Sequence, residues 1–214
     1  TSPTTGGTIV YNWTNNNTAI GLGATGTGNI SSFVATNTTT APITATITVT
    51  PTYTANGVSC IGTAQIFTIT INPIATVNTV ANQSVCVGAN TTAVTFTSPT
   101  TGGTIVYNWT NSNTAIGLGG SGTGNIASFA ATNNTTAPIS ATITVTPTYT
   151  ANGVSCIGTA QNFTITVNPT ATVNTITNQS LCAGANTTAV TFTSPTTGGT
   201  IVYNWTNSNT SIGL

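Results

Sequence analysis

The chain has 214 residues and no Lys, Arg, Asp, Glu or His, so its formal charge at pH 7 is zero. General acid–base catalysis then has no proton carrier near neutrality, and a Ser or Thr nucleophile has no adjacent base, so no enzyme and no catalytic residue are expected. No basic patch exists to neutralise phosphates, which excludes nucleic acid as a partner.

Other classes fall on the same inventory. Hard cations want carboxylates and zinc wants Cys or His clusters, so no metal and no cofactor are expected. No apolar run approaches the roughly 20 residues of a membrane span, so membrane insertion is not expected. Ordinary disorder does not fit either, because the chain is 38% hydrophobic and rich in β-branched residues. The Thr1 start shows no signal peptide, as a window cut from a longer secreted protein would not.

The dominant feature is an interval. Trp13, Trp109 and Trp205 are 96 residues apart, and sliding the chain by 96 aligns residues 1–96 with 97–192 with 14 mismatches. A unit of that length is domain-sized, unlike the shorter units that stack into solenoids. Asn72-Pro73 and Asn168-Pro169 each end an alternating stretch, and proline cannot continue a ladder. These dipeptides set the expected boundaries: residues 1–73 a partial repeat, 74–169 a complete one, and 170–214 the opening of a third.

Within 74–169 the expected strands follow in order. Ala75 to Val80 alternates weakly and reads as an edge. Thr92 to Thr97 turns Val94 and Phe96 inward. Thr104 to Thr110 places Ile105, Tyr107 and Trp109 on one face. The glycine-rich stretch 117–124 reads as a turn; with no Lys and no following helix it is not a phosphate loop. Asn125 to Thr132 buries Ile126 and Phe129. Ile139 to Thr150 alternates almost without a break, with Ala141, Ile143 and Val145 inward and a row of threonines outward. Phe163, Ile165 and Val167 face inward on the last strand. The expected core anchors are Trp13, Trp109, Trp205, Tyr107, Phe96, Phe129 and Phe163. About seven strands per repeat, with turn signals between them and no helical period, predict an all-β fold of tandem antiparallel β-sandwiches.

Each period carries two cysteines. Cys86 and Cys156 fall in one repeat, 70 residues apart. In a secreted chain they read as one disulfide, worth about 4 kcal/mol on the loop-entropy model. Cys60 and Cys182 would then pair outside residues 1–214. The rival reading is a Cys60–Cys86 bridge across the linker.

Tyr107-Asn108-Trp109-Thr110 resembles the Y-x-W-D strand of PKD domains, with Asn111-Ser112-Asn113 in place of the acidic turn. The stretch Ala141–Thr146 is similar to the penultimate PKD strand. Asn82-Gln83, Cys86-x-Gly88, Cys156-x-Gly158 and the closing Phe163 to Val167 complete a pattern that resembles the PKD-like, Ig-fold repeats of very large secreted surface proteins of Bacteroidota. That resemblance implies a secreted, cell-surface setting associated with type 9 secretion, gliding motility and adhesion. The departure from the family pattern is the absent Asp residues, on which any calcium site of a related module would depend.

Three functions follow as expectations. The first is a structural stalk or filament of a cell-surface adhesin. A second is a self-assembling fibre or sheath, since no charged residue guards any strand edge. A third is a glycan- or ice-binding face on the threonine row Thr142, Thr144, Thr146, Thr148 and Thr150. Self-association and surface glycans are the partners left open, with Asn90-Thr91-Thr92 and Asn134-Thr135-Thr136 as sequons.

Overall fold

The computed structural model describes residues 6–213. The fold is all-β and sandwich-like, with two sheets, one antiparallel and one mixed. The chain divides into two compact units. Among the described residues, one comprises 6–79, Phe96–Asn108 and Val145–Gln161; the other comprises Val80–Thr95, Trp109–Thr144 and 162–213.

The first sheet holds β1 (Thr8–Asn15), β2 (Thr25–Thr27), β3 (Ile43–Ala55), β4 (Val58–Ile61) and β5 (Gln65–Ile71). Its order is β2-β1-β3-β4, with β5 also on β3. The second sheet repeats this plan with β6 (Gln83–Cys86), β7 (Thr104–Asn111), β8 (Ser121–Thr123), β9 (Ile139–Ala151), β10 (Val154–Ile157) and β11 (Gln161–Asn168). Its order is β6-β11-β9-β7-β8, with β10 also on β9.

The long threonine-alternating strand organises each sheet. On β3 one edge is taken by β1, while the other carries β5 against Ile43–Val49 and then β4 against Thr52–Ala55. Pro51 lies at the gap between those two partners, where its missing N–H breaks no ladder bond. Its carbonyl still accepts from Gly62 N at 2.8 Å, and Pro147 repeats this with Gly158 N at 2.7 Å. The hairpin from β9 to β10 turns on Asn152-Gly153, both at positive φ (53° and 73°), as a two-residue type I′ loop requires.

The alternation on β9 is observed as expected: Ala141, Ile143, Val145 and Tyr149 are buried, and the intervening threonines face outward. Phe163, Ile165 and Val167 are buried on β11. Other expectations are corrected. Ala75 to Val80 forms no strand; Ala75 and Val77 are buried, and Asn78 bonds Thr97 through backbone N and side-chain Nδ2 without a ladder. Residues 92–97 and 125–132 are extended segments joined by single bridges, Asn90 to Ala130 and Val94 to Ile126. Within the glycine run, Ser121–Thr123 pairs with the tryptophan strand, and Val154–Ile157 is a strand that periodicity missed.

The Cys86–Cys156 bridge is not formed; all four cysteines are free. Cys86 stands opposite Asn168 on β11, and the Ser140–Thr166 hydroxyl pair ties that end of β11 to the start of β9. Cys156 stands opposite Tyr149, near the other end of β9. Neither cysteine stands opposite the other on a ladder, so no strand pair presents the two for a bridge.

Candidate functional site: the repeat junction and the open flank

Asparagine amides do the work that charges do elsewhere. Asn133, nearly buried, donates to Ala137 O and Val167 O (both 2.9 Å) and accepts from Thr135 N (2.8 Å). Asn111 donates to Leu118 O and accepts from Asn113 N. Asn113 in turn caps the 3-10 turn Thr114–Ile116. Asn15, Asn17 and Asn37 repeat these bonds one period earlier.

The tryptophans depend on their company. Trp109 is 8% exposed and lies over Gly122, where any Cβ would overlap the indole; Trp13 does the same over Gly26. Both indole N–H groups are buried with no acceptor. Trp205, in the partial third repeat, is 60% exposed. Phe96 and Phe163 are buried as expected, whereas Phe129 and Tyr107 are only half-buried. Phe96 meets Tyr107 at 5.6 Å between ring centroids. Burial pushes both the Tyr107 and the Tyr149 phenols up, with the Cys156 thiol adding to the shift at Tyr149.

Successive repeats meet through a small polar junction. In the first unit Thr101 N donates to Thr40 O at 2.7 Å, and Tyr149 Oη donates to Thr101 O at 3.1 Å. Asn72 Nδ2 donates to Ala151 O at 3.0 Å, and Thr159 N to Ala75 O at 2.9 Å. Gly102 approaches the ring of Pro42. In the second unit Thr197 N donates to Thr136 O at 2.8 Å, and Gly198 approaches Pro138 in the same way. There a cleft of about 270 Å³ opens beside Pro138, Pro169 and Gly199. In the first unit the corresponding Gly103 is covered by Tyr149 and Thr150. None of these junction residues was singled out from the sequence apart from the Asn-Pro dipeptides; the signal available was the same Thr-Gly-Gly and Ala-Pro at every period.

The first repeat differs from the middle one along one flank. In the middle repeat β6 pairs in parallel with β11, and residues 87–94 bond along 126–131 through Gly88 N to Ala131 O, Ala131 N to Ala89 O and Thr91 N to Phe129 O. Among the described residues nothing takes those places in the first repeat. Phe67 is 44% exposed where its counterpart Phe163 is 2% exposed, and Ile69, Ile71, Ile30 and Phe33 are only partly covered around Trp13 and Ile47.

The outward threonines of β9 run from exposed to half-exposed, and their neighbours form cross-strand hydroxyl pairs, Ser140 with Thr166 and Thr150 with Ser155. Among the described residues no helix is long and apolar enough to cross a membrane. No family model matches the chain, and no curated protein matches it either.

Proposed function

We propose that the chain is a structural segment of a secreted, cell-surface stalk or filament built from tandem PKD-like, Ig-like sandwiches, with adhesion or motility carried elsewhere in the assembly. One observation carries this reading. The contacts that join the first repeat to the second recur 96 residues later, Thr101 to Thr40 becoming Thr197 to Thr136 and Gly102–Pro42 becoming Gly198–Pro138. A junction that reuses the same residues at each period suits a tandem structural array. Neutrality suits that role, because a surface without ionised side chains offers no ion pairs for salt to screen. The test is small-angle scattering from the 214-residue chain and from chains lengthened by further 96-residue units. The maximum dimension should grow by one constant step per added unit; irregular or vanishing steps overturn the reading.

A further inference from the structure

We propose that Asn152 is a modification site that needs no enzyme. When the hairpin of β9 and β10 opens, the Gly153 nitrogen displaces the Asn152 side-chain amide, and water turns the resulting ring into a carboxylate. A chain without ionised side chains thereby gains a negative charge beside the repeat junction. Asn56, before Gly57, is the same site one period earlier.

The reactive pair is singled out by sequence and by exposure. Asn-Gly occurs only at 56–57 and 152–153; every other asparagine precedes a residue with a Cβ, which crowds the attacking nitrogen. At Gly153 a Cβ would meet nothing within 4 Å, so the approach is open. Asn152 is exposed, whereas the amides of Asn111 and Asn133 are held on backbone carbonyls.

The closed turn withholds the reaction. Asn152 and Gly153 have φ of 53° and 73°, the left-handed pair of a type I′ loop. In that conformation the Gly153 nitrogen points away from the Asn152 Cβ and cannot reach Cγ. Conversion therefore waits for the hairpin to open, and β10 is built to let it. Val154–Ile157 is a short strand laid on β9, with Val154 56% and Ile157 76% exposed. Segments with so little buried surface open locally, well below the cost of global unfolding.

The chemistry closes on water alone. The Gly153 N–H gives its proton to solvent, the nitrogen bonds Cγ, and the Cγ–Nδ2 bond breaks, with Nδ2 leaving as ammonia. Water then opens the five-membered imide at either carbonyl, giving aspartate or isoaspartate; one water enters and one ammonia departs. The damage falls between two bonds to the preceding repeat, Asn72 Nδ2 to Ala151 O at 3.0 Å and Thr159 N to Ala75 O at 2.9 Å. Isoaspartate routes the main chain through Cβ, which lengthens a two-residue loop and shifts both anchor points. The junction is loosened where the charge appears.

Mass spectrometry of the full 214-residue chain, held at mildly alkaline pH and mapped with electron-transfer fragmentation, tests this. Asn152 and Asn56 should convert before any other asparagine. Conversion in the folded chain should be slower by more than about tenfold than in the chain unfolded by guanidinium, and sub-denaturing urea should speed it. Hydrogen exchange at Thr159 N should quicken in the converted chain. Asn152→Gly keeps a turn that Gly-Gly also favours, and should leave Thr159 exchange as in the fresh chain after the same incubation. Conversion that begins at other asparagines overturns the proposal, as does a folded chain that converts as fast as the unfolded one. So does an Asn152 still intact when the unfolded chain has long since finished, or Thr159 exchange that conversion leaves unchanged. These readouts do not depend on a constant scattering step per repeat, so the modification site and the stalk reading stand or fall separately.

Discussion

Gly102 stands against the pyrrolidine ring of Pro42, so close that a Cβ built there would lie 2.6 Å from Pro42 Cδ, and its φ of +81° is one that L side chains rarely adopt. Two independent costs therefore meet at Gly102→Ala, backbone strain and overlap with a ring that cannot swing away. Together they should destabilise the chain by about 1–3 kcal/mol. Gly119→Ala is the control, since a Cβ there meets nothing within 4 Å. Thermal unfolding should separate the two variants, with the Gly119 protein close to wild type.

The tryptophans should divide by position. Trp109→Ala removes an indole that is 8% exposed and should cost about 3–5 kcal/mol. Trp205→Ala, at 60% exposure, should change stability by less than about 0.5 kcal/mol. Trp109→Phe should fall well below the alanine variant, because it also deletes a buried N–H that has no acceptor. Denaturant melts of the three variants check the ranking.

Asn133 bonds two carbonyls through its amide nitrogen. Truncation to Ala strands both acceptors and should cost about 2–4 kcal/mol. Asn133→Asp is the sharper variant, because its carboxylate would face the same two carbonyl oxygens in a site 7% exposed. Burial and those oxygens raise the folded pKa above the ordinary value of about 3.9. The stabilising form is then the protonated one. Its contribution is complete below the unfolded pKa and is lost as pH rises through the folded one. Stability of this variant should fall between acid and neutral pH, in a chain that otherwise shows no slope there.

For wild type, no carboxylate, imidazole or ammonium side chain titrates between pH 4 and 8, so Tm should be flat over that range, with or without reductant since the cysteines are free. The phenols set the alkaline limit. Tyr149 is fully buried and its pKa is raised, so the neutral form belongs to the fold. Its contribution is intact below the unfolded pKa of about 10 and is lost as pH climbs through the folded value. Calorimetry at stepped pH should show a plateau followed by a decline above about pH 10; a slope between pH 4 and 8 would contradict this account.

Much of the sheet was legible because β9 and β11 alternate with period two and carry β-branched residues on their buried faces. The hairpin strand Val154–Ile157 was legible too, through Asn152-Gly153 after an alternating run, although hydrophobic spacing passed over it. Residues 75–80 misled because Ala75 and Val77 are buried by the chain around them without a ladder partner. The expected Cys86–Cys156 bridge is not seen, since all four cysteines are free; sequence places the two in one repeat, but strand pairing sets Cys86 opposite Asn168 and Cys156 opposite Tyr149.

The parallel pairing of β6 with β11 has a mechanical consequence. These are the first and last strands of the middle repeat, and they run in the same direction side by side over the register Gln83–Cys86 with Ile165–Asn168. Tension on the two ends of the repeat would slide one strand lengthwise past the other. All rungs of that short ladder are then loaded together, in shear, where an antiparallel hairpin pulled from its open end would surrender them singly.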